Sequence, residues 1–521
     1  MSPIYTRFHS VASATPDKLA LQDGEQSYTY LQLLQRIDSL AADISVISGG
    51  ERPRIALITD EQLDNVCISI AIAKVGGCCI PMNAHMLPAQ LLAACDAVDA
   101  NIVMGKQHLL DKLSLSQQFK VMSTDDISHP EYLSHLDVLN DTSEQVCKDI
   151  PEQWQSEEDF LITLSSGSTG QPKPIMISQA VKLARAEQTW QLYKLTSADT
   201  TLCASPFFHS LGQRLTFVPL LLGSSLIHLS RFTPLSWLSL VAEHKVNFVI
   251  AVSSHLYALK NSLLSNTETI QSLRTIVTSS APIDAGFKAQ VFNAIGCDFH
   301  EIYGATEIAV ATNLAPVDAN EKYKTVGKPC DNIKVQILDQ ELQVLPCELV
   351  GQIAVKSPLS FSGYYGKREL TKLSSHHEYF LTGDLGYVDQ EGFVTYVGRQ
   401  KDVIISGGIN IYPKDIETEL LTHPELHEVA VIGVEDSLLG EVIVAICISD
   451  AQSDIEASLR KIANKNLAAF QRPLKYFFPE SLPLTPTGKV SKILLREQYS
   501  KLNQGWTDML RVMLYGEQLD E

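Results

Sequence analysis

Between Tyr28 and about Val277, short apolar runs alternate with stretches whose apolar residues recur every three to four positions, and this alternation constrains the fold most strongly. The runs Arg54-Ile55-Ala56-Leu57-Ile58, Phe248-Val249-Ile250-Ala251-Val252 and Leu273-Arg274-Thr275-Ile276-Val277 read as buried strands. Leu31 to Ile44, Leu63 to Lys74 and Ser236 to His244 read as amphipathic helices. Alternation of this kind predicts an α/β fold with a largely parallel sheet. From Ile333 to Tyr396 the pattern changes to short strands with polar turns such as Asp389-Gln390-Glu391-Gly392, which predicts a smaller β-rich subdomain. A second break follows Gly398-Arg399-Gln400-Lys401-Asp402. Beyond it come a helix near Pro413 to Thr422, strands at Val429 to Val434 and Glu441 to Ile448, and a helix from Asp454 to Ala469. The expected organisation is a large N-terminal domain of layered α/β subdomains, residues 1–399, and a small α+β C-terminal domain, residues 400–521. A chain of 521 residues is too long for one compact core.

A net charge of −19 argues against a general nucleic-acid surface, which would need clustered Lys and Arg, so any anionic ligand must meet a local positive pocket. The longest apolar runs, Val442 to Ile448 and Phe217 to Leu222, fall short of the roughly 20 residues that cross a bilayer, and no membrane span is expected. The first residues lack a basic segment followed by an apolar run, so no secretory signal is expected. Ten scattered cysteines without a CxxC pair suit reduced thiols in a cytoplasmic enzyme better than disulfides or zinc.

The apolar run Phe160 to Leu164 leads into Ser165-Ser166-Gly167-Ser168-Thr169-Gly170-Gln171-Pro172-Lys173. Glycines let backbone N–H groups approach an anion, the hydroxyls add donors, and the lysine adds a point charge, so these residues suit a phosphate-holding turn. A solvated turn after a strand has the same ingredients. The spacing excludes a Walker A loop, because only two residues separate Gly167 from Gly170. Four further stretches follow in order: Glu301-Ile302-Tyr303-Gly304-Ala305-Thr306-Glu307, Tyr379-Phe380-Leu381-Thr382-Gly383-Asp384-Leu385-Gly386, Gly398-Arg399-Gln400-Lys401-Asp402, and Pro486-Thr487-Gly488-Lys489. Together with the loop they resemble the ordered core motifs of the adenylate-forming superfamily, which comprises acyl- and aryl-CoA synthetases, adenylation domains of nonribosomal peptide synthetases, and beetle luciferases.

The resemblance implies an ATP-dependent acid:thiol ligase. A carboxylate attacks the α-phosphorus of ATP, giving an acyl-adenylate and pyrophosphate, and the acyl group then passes to the thiol of CoA with release of AMP. The attacking carboxylate is already ionised near neutral pH, its reference pKa being about 4, so the protein supplies positioning and positive charge. By resemblance Ser165, Ser166, Gly167, Ser168, Thr169, Gly170 and Lys173 hold the β- and γ-phosphates, Glu307 holds Mg²⁺, and Thr306 touches the α-phosphate. Tyr303 stacks on adenine beside Ser280-Ala281-Pro282, with Gly304 and Ala305 in the same nucleotide-binding run. Asp384 accepts the ribose hydroxyls, Arg399 adds a ribose contact, and Lys489 bridges carboxylate and α-phosphate. The C-terminal domain is implied to be mobile, turning about Lys401 to exchange Lys489 for a loop whose Gly407 and Gly408 flank a thiol channel.

Phe207, His209, Ser280, Ile302, Gly304 and Val310 are implied to line the acid pocket. Pro206-Phe207-Phe208-His209-Ser210-Leu211-Gly212 is similar to the acyl- and aryl-CoA ligase form of its motif and lacks the aspartate that would meet an α-ammonium group. Ile302 and the pair Ser279-Ser280 stand where fatty acyl enzymes commonly carry glycine, which favours a compact aryl or short to medium acyl acid. Two departures stand out: Pro174 occupies a usual glycine position, and Ile177-Ser178-Gln179 replaces a common Thr-His pair. The alternatives are transfer to the pantetheine of an acyl carrier protein, and a catalytically degenerate nucleotide-binding scaffold. Arg460, Lys461, Lys465, Arg472 and Lys475 could face CoA phosphates, an acidic carrier or solvent, and the tail Trp506, Met509, Leu510, Met513, Leu514 has helical apolar spacing.

Overall fold

The computed structural model describes residues 2–113, 119–125, 159–165, 173–265, 268–279, 283, 285–436, 438–450, 455–484 and 490–500. The chain divides into two compact units, Met1–Lys334 with Lys356–Phe380, and Val335–Val355 with Leu381–Glu521.

The first unit is built on two sheets. One runs in the order Lys328–Pro329, Ala309–Leu314, Asp298–Ala305, Thr275–Ser279, Phe248–Val252, Thr200–Cys203, Ser225–His228, Leu19–Asp23, Gln26–Thr29. Its middle, from Asp298–Ala305 to Leu19–Asp23, is parallel, and antiparallel strands close both edges. The other runs Gly363–Tyr364, Lys173–Ser178, Asp159–Ser165, Cys78–Met82, Arg54–Ile58, Ile102–Gly105, Lys120–Ser123. It is parallel from Asp159–Ser165 onward. The parallel α/β architecture expected from the alternation is therefore present, in two sheets whose strands contribute to one shared apolar core.

The helices form where the spacing places them. Tyr30–Ser48 opens on a capping box in which Thr29 accepts the Gln32 amide, and it ends at Gly49 with φ 65°. Gln62–Lys74 departs from expectation. Its apolar spacing suggests an amphipathic helix, yet all 13 of its residues are buried. Two of its polar side chains have partners inside the fold: Gln62 donates to Thr216, and Asp64 Oδ2 accepts from Thr59 and Thr124 and faces Lys106 at 3.2 Å. Burial pushes the Asp64 carboxyl up to about 6.

In the second unit the strands Lys334–Leu338, Gly351–Lys356 and Tyr379–Val388 lie side by side, and Val394–Arg399 folds back on Tyr379–Val388. A second sheet runs Ile409–Ile411, Ile404–Ser406, Gly440–Ser449, Leu426–Asp436, with Lys475–Phe477 parallel to Gly440–Ser449. Helices Pro413–Leu420 and Ile455–Asn466 pack against one face of this sheet and Lys492–Tyr499 against the other. Among the described residues no helix is long and apolar enough to cross a membrane.

Candidate active site

In the first unit the site is organised by the turn between strands Asp298–Ala305 and Ala309–Leu314. The register of this antiparallel pair shifts between Tyr303 and Gly304. A Cβ on Gly304 would lie 1.9 Å from the Ala309 carbonyl oxygen, so only glycine allows this approach. The Ile308 amide closes the turn by donating to the Ala305 oxygen at 3.2 Å, which leaves Thr306 and Glu307 at its tip.

Arg185, on the helix Gln179–Tyr193, fixes that tip. Its Nη1 donates to the Thr306 carbonyl at 2.9 Å, and its Nη2 donates to the carbonyls of Glu307 at 3.1 Å and Leu359 at 2.7 Å. Nε adds a bond to Leu359 at 3.0 Å. Burial pulls the guanidinium pKa down to about 9, opposed by the Glu307 charge. The Thr306 hydroxyl donates to Ser210 Oγ at 3.2 Å, joining the turn to the start of helix Ser210–Leu222.

Glu307 Oε1 accepts the Tyr364 hydroxyl at 2.8 Å, and the ammonium of Lys173 lies 5.5 Å from the centre of the Tyr364 ring. Burial, with Glu307 beside it, raises the Tyr364 pKa and keeps the phenol a donor. The Glu307 carboxylate forms no ion pair among the described residues. One available carboxylate beside a hydroxyl-bearing turn fits Mg²⁺, which takes few protein ligands and completes its shell with phosphate and water oxygens. No group of three or more His, Cys, Asp or Glu suited to a metal occurs among the described residues.

His209 precedes helix Ser210–Leu222, with its ring 4.2 Å from that of Phe208. Phe207 is buried in the shared core, 6.0 Å from Phe217. Tyr303 and Val310 are buried and Ile302 packs against the core. Gln188 Nε2 donates to the Val310 carbonyl at 3.2 Å. Gly304 is exposed and Ala305 partly so.

Several expected site residues lie outside the described residues: Ser166, Gly167, Ser168, Thr169, Gly170, Ser280, Ala281, Pro282 and Lys489, together with the apolar tail Trp506 to Leu514. The backbone of Ser165 ends its strand opposite Lys173. The departures have structural explanations. The Pro174 carbonyl accepts the Tyr365 amide at 2.9 Å, so its nitrogen faces that same edge and no bond to Asp159–Ser165 is lost. Ser178 caps helix Gln179–Tyr193 by accepting the Val181 amide at 3.3 Å, and Gln179 is buried with Nε2 donating to the Ala73 carbonyl at 3.0 Å.

In the second unit Asp384 stands opposite Arg399 in the ladder, and Arg399 Nε meets Asp384 Oδ1 at 2.8 Å. The carboxylate is 4% exposed and the guanidinium 46% exposed, so a buried acceptor carries an open donor beside it. Lys401 is exposed in the short helical turn Gln400–Asp402, whose Asp402 pairs with Arg496 at 3.1 Å. Gly407 and Gly408, with φ 57° and 79°, form the two-residue turn between Ile404–Ser406 and Ile409–Ile411. Both glycines are exposed, and nothing lies within 4 Å of a Cβ built on Gly408. Of the basic stretch, Arg460 pairs with Glu456 and covers Tyr476, and Arg472 donates to the carbonyls of Leu467 and Asn464. Lys461 and Lys465 are exposed.

Arg185 and Tyr364 were not found from the sequence. The signal available for Arg185 was its place three residues after Lys182 and four before Thr189, on the buried face of its helix. Tyr364 lies on a two-residue strand that no local pattern marks.

Residues 8–365 match the model of the AMP-binding enzyme family, and residues 415–489 match that of the AMP-binding enzyme C-terminal domain. A 2-succinylbenzoate–CoA ligase of Enterococcus faecalis is 28% identical over 92% of this chain and 95% of its own length. An indoleacetate–CoA ligase of Aromatoleum aromaticum is 26% identical over 93% of this chain and 96% of its own. ATP-bound MatB of Rhodopseudomonas palustris superposes with a TM-score of 0.86 at 25% identity, covering 96% of this chain and all of that one.

Proposed function

The chain belongs to the AMP-binding enzyme family, and we propose that it couples ATP to the activation of a compact carboxylic acid and then to thioester formation with CoA. The observation that carries this reading is the Thr306–Glu307 turn, whose two carbonyls are held by Arg185, with Ser210, Tyr364 and Lys173 around it. The relatives named for 2-succinylbenzoate and indoleacetate act on acids built on aromatic rings, which agrees with Ile302 and Ser279-Ser280 standing where fatty acyl enzymes commonly carry glycine.

The incoming carboxylate needs no base, so the protein's task is to hold two anions together. Lys173 and the loop from Ser165 to Gly170 hold the β- and γ-phosphates, and the Thr306 hydroxyl meets the α-phosphate. Glu307 would hold Mg²⁺, whose charge offsets that of the departing pyrophosphate. Tyr364 orients the carboxylate by donating to Oε1, which leaves the other oxygen free to ligate. Tyr303 stacks on adenine beside Ser280-Ala281-Pro282, and Asp384 with Arg399 takes the ribose. His209 and Phe207 border the acid. Residues 1–399 and 400–521 act as the working domains, turning about Lys401 so that Lys489 serves adenylation and Gly407-Gly408 the thiol step. Nine cysteines among the described residues are free thiols, which suits a reducing cytoplasm.

The test is acid-dependent pyrophosphate exchange over a panel of aryl and short to medium acyl acids, followed by thioester trapping. Exchange together with a CoA thioester supports the reading. Exchange with a thioester formed only on a holo carrier protein selects the carrier alternative, and ATP binding without exchange selects the scaffold. Lys489→Ala is expected to lower exchange roughly 10²-fold through lost transition-state charge, and near-normal exchange would remove its assigned role. Gly408→Val places a branched side chain at positive φ, at a cost of about 1–2 kcal/mol. Thioester formation should then fall roughly tenfold further than exchange, and an equal loss in both half-reactions would argue against the thiol channel.

A further inference from the structure

Helix Ser210–Leu222 carries a partly buried charge that adenylation does not use. Ser210, at its start, touches Thr306, and Arg214 stands one turn later on the same face, about 6 Å along the axis. Arg214 Nε donates to Thr189 Oγ1 at 3.0 Å, but Nη2 is buried with no hydrogen-bond partner among the described residues. The hydroxyl of Tyr193 is buried and likewise unpartnered among them. Its ring is fixed 5.3 Å from Phe248 and edge-on to His300 at 5.0 Å. Among the described residues the acidic groups in the field of Arg214 are the weak acids Tyr193 and Cys330, neither of them a carboxylate, and burial lowers its pKa.

Nearby cations add to the imbalance. Arg185 discharges its donors on three carbonyls, and Lys182 donates to Gln213 Oε1 at 3.3 Å. A guanidinium whose Nη2 is buried without a partner is costly unless an anion completes it.

We propose that Arg214, assisted by the Tyr193 hydroxyl, receives a second carboxylate on the substrate, so that the preferred acid is a compact dicarboxylic acid whose reacting end lies at Thr306 and His209. The inference rests on the chain being an acid:CoA ligase. One helical turn between Ser210 and Arg214 limits the separation of the two carboxylates to a few carbons or one ring.

The experiment compares kcat/KM for acid-dependent pyrophosphate exchange between matched pairs of dicarboxylic and monocarboxylic acids, in the wild type and in Arg214→Met and Arg214→Lys. A wild-type preference for the dicarboxylic member of about 10²-fold is expected. In Arg214→Met that ratio should collapse toward one, chiefly through KM for the dicarboxylic acid, and Arg214→Lys should restore part of it. A wild-type ratio near one overturns the inference without any variant, as does a preference that Arg214→Met leaves intact. Exchange with monocarboxylic acids in either case leaves the ligase reading standing, whereas exchange with no acid at all overturns both.

Discussion

Glu307→Gln is expected to lower acid-dependent pyrophosphate exchange roughly 10³-fold, the largest kinetic effect of any single substitution here. The amide keeps the shape of the side chain and still accepts the Tyr364 hydroxyl that now meets Oε1 at 2.8 Å. Backbone contacts at this position run to Arg185 and to the Phe361 amide, and the substitution leaves them alone. Folding should therefore survive while the negative charge offered to Mg²⁺ is lost. Raising the Mg²⁺ concentration should recover part of the rate, because a weakened ion site is filled by mass action. Normal exchange by Glu307→Gln at low Mg²⁺ would show that this carboxylate has a structural role only.

Arg185→Met should cost stability and activity together. The guanidinium donates four hydrogen bonds to three carbonyls of the first unit, and its removal strands those of Thr306 and Leu359, while Glu307 keeps only the Phe361 amide. Each buried, unsatisfied polar group costs about 1–3 kcal/mol, so a loss of roughly 3–5 kcal/mol is expected, read as a lower urea midpoint. Exchange measured well below that midpoint should fall at least tenfold, because Thr306 and Glu307 lose their anchor. Arg185→Lys should recover little of either, since one ammonium cannot span three carbonyls in a fixed fork. A lower midpoint with unchanged exchange would make Arg185 a packing residue and not a positioning one.

The legible parts of the molecule were those with a local cause. Strand Arg54–Ile58 and helix Tyr30–Ser48 follow from apolar runs, spacing and caps that sit within a few residues of one another. Gly304 is read as a glycine of the site from its motif, and the structure gives the reason, an Ala309 carbonyl that leaves no room for a Cβ. Helix Gln62–Lys74 was legible as a helix but not as one buried on every side. Helices Pro3–Ala14 and Tyr30–Ser48 and strands Leu19–Asp23 and Cys78–Met82 all pack around it, and its own window of sequence does not contain that information. Pro174 departs from a usual glycine position, and only the structure shows that its nitrogen faces the short Gly363–Tyr364 edge.

The sequence by itself determined the α/β class, the family through its ordered motifs, and the residue types that an acid and a nucleotide require, because helix period, strand runs, turn glycines and motif order are all properties of the local chain. Only the tertiary structure decided which distant groups complete the site. It brought Arg185 beneath Thr306 and Glu307, set Tyr364 between Glu307 and Lys173, and left Arg214 Nη2 buried without a hydrogen-bond partner among the described residues. Glu307 and Tyr364 are 57 residues apart in sequence, and Arg185 and Glu307 are 122. Contacts across such separations arise from sheet order and helix packing, and a linear pattern does not encode them.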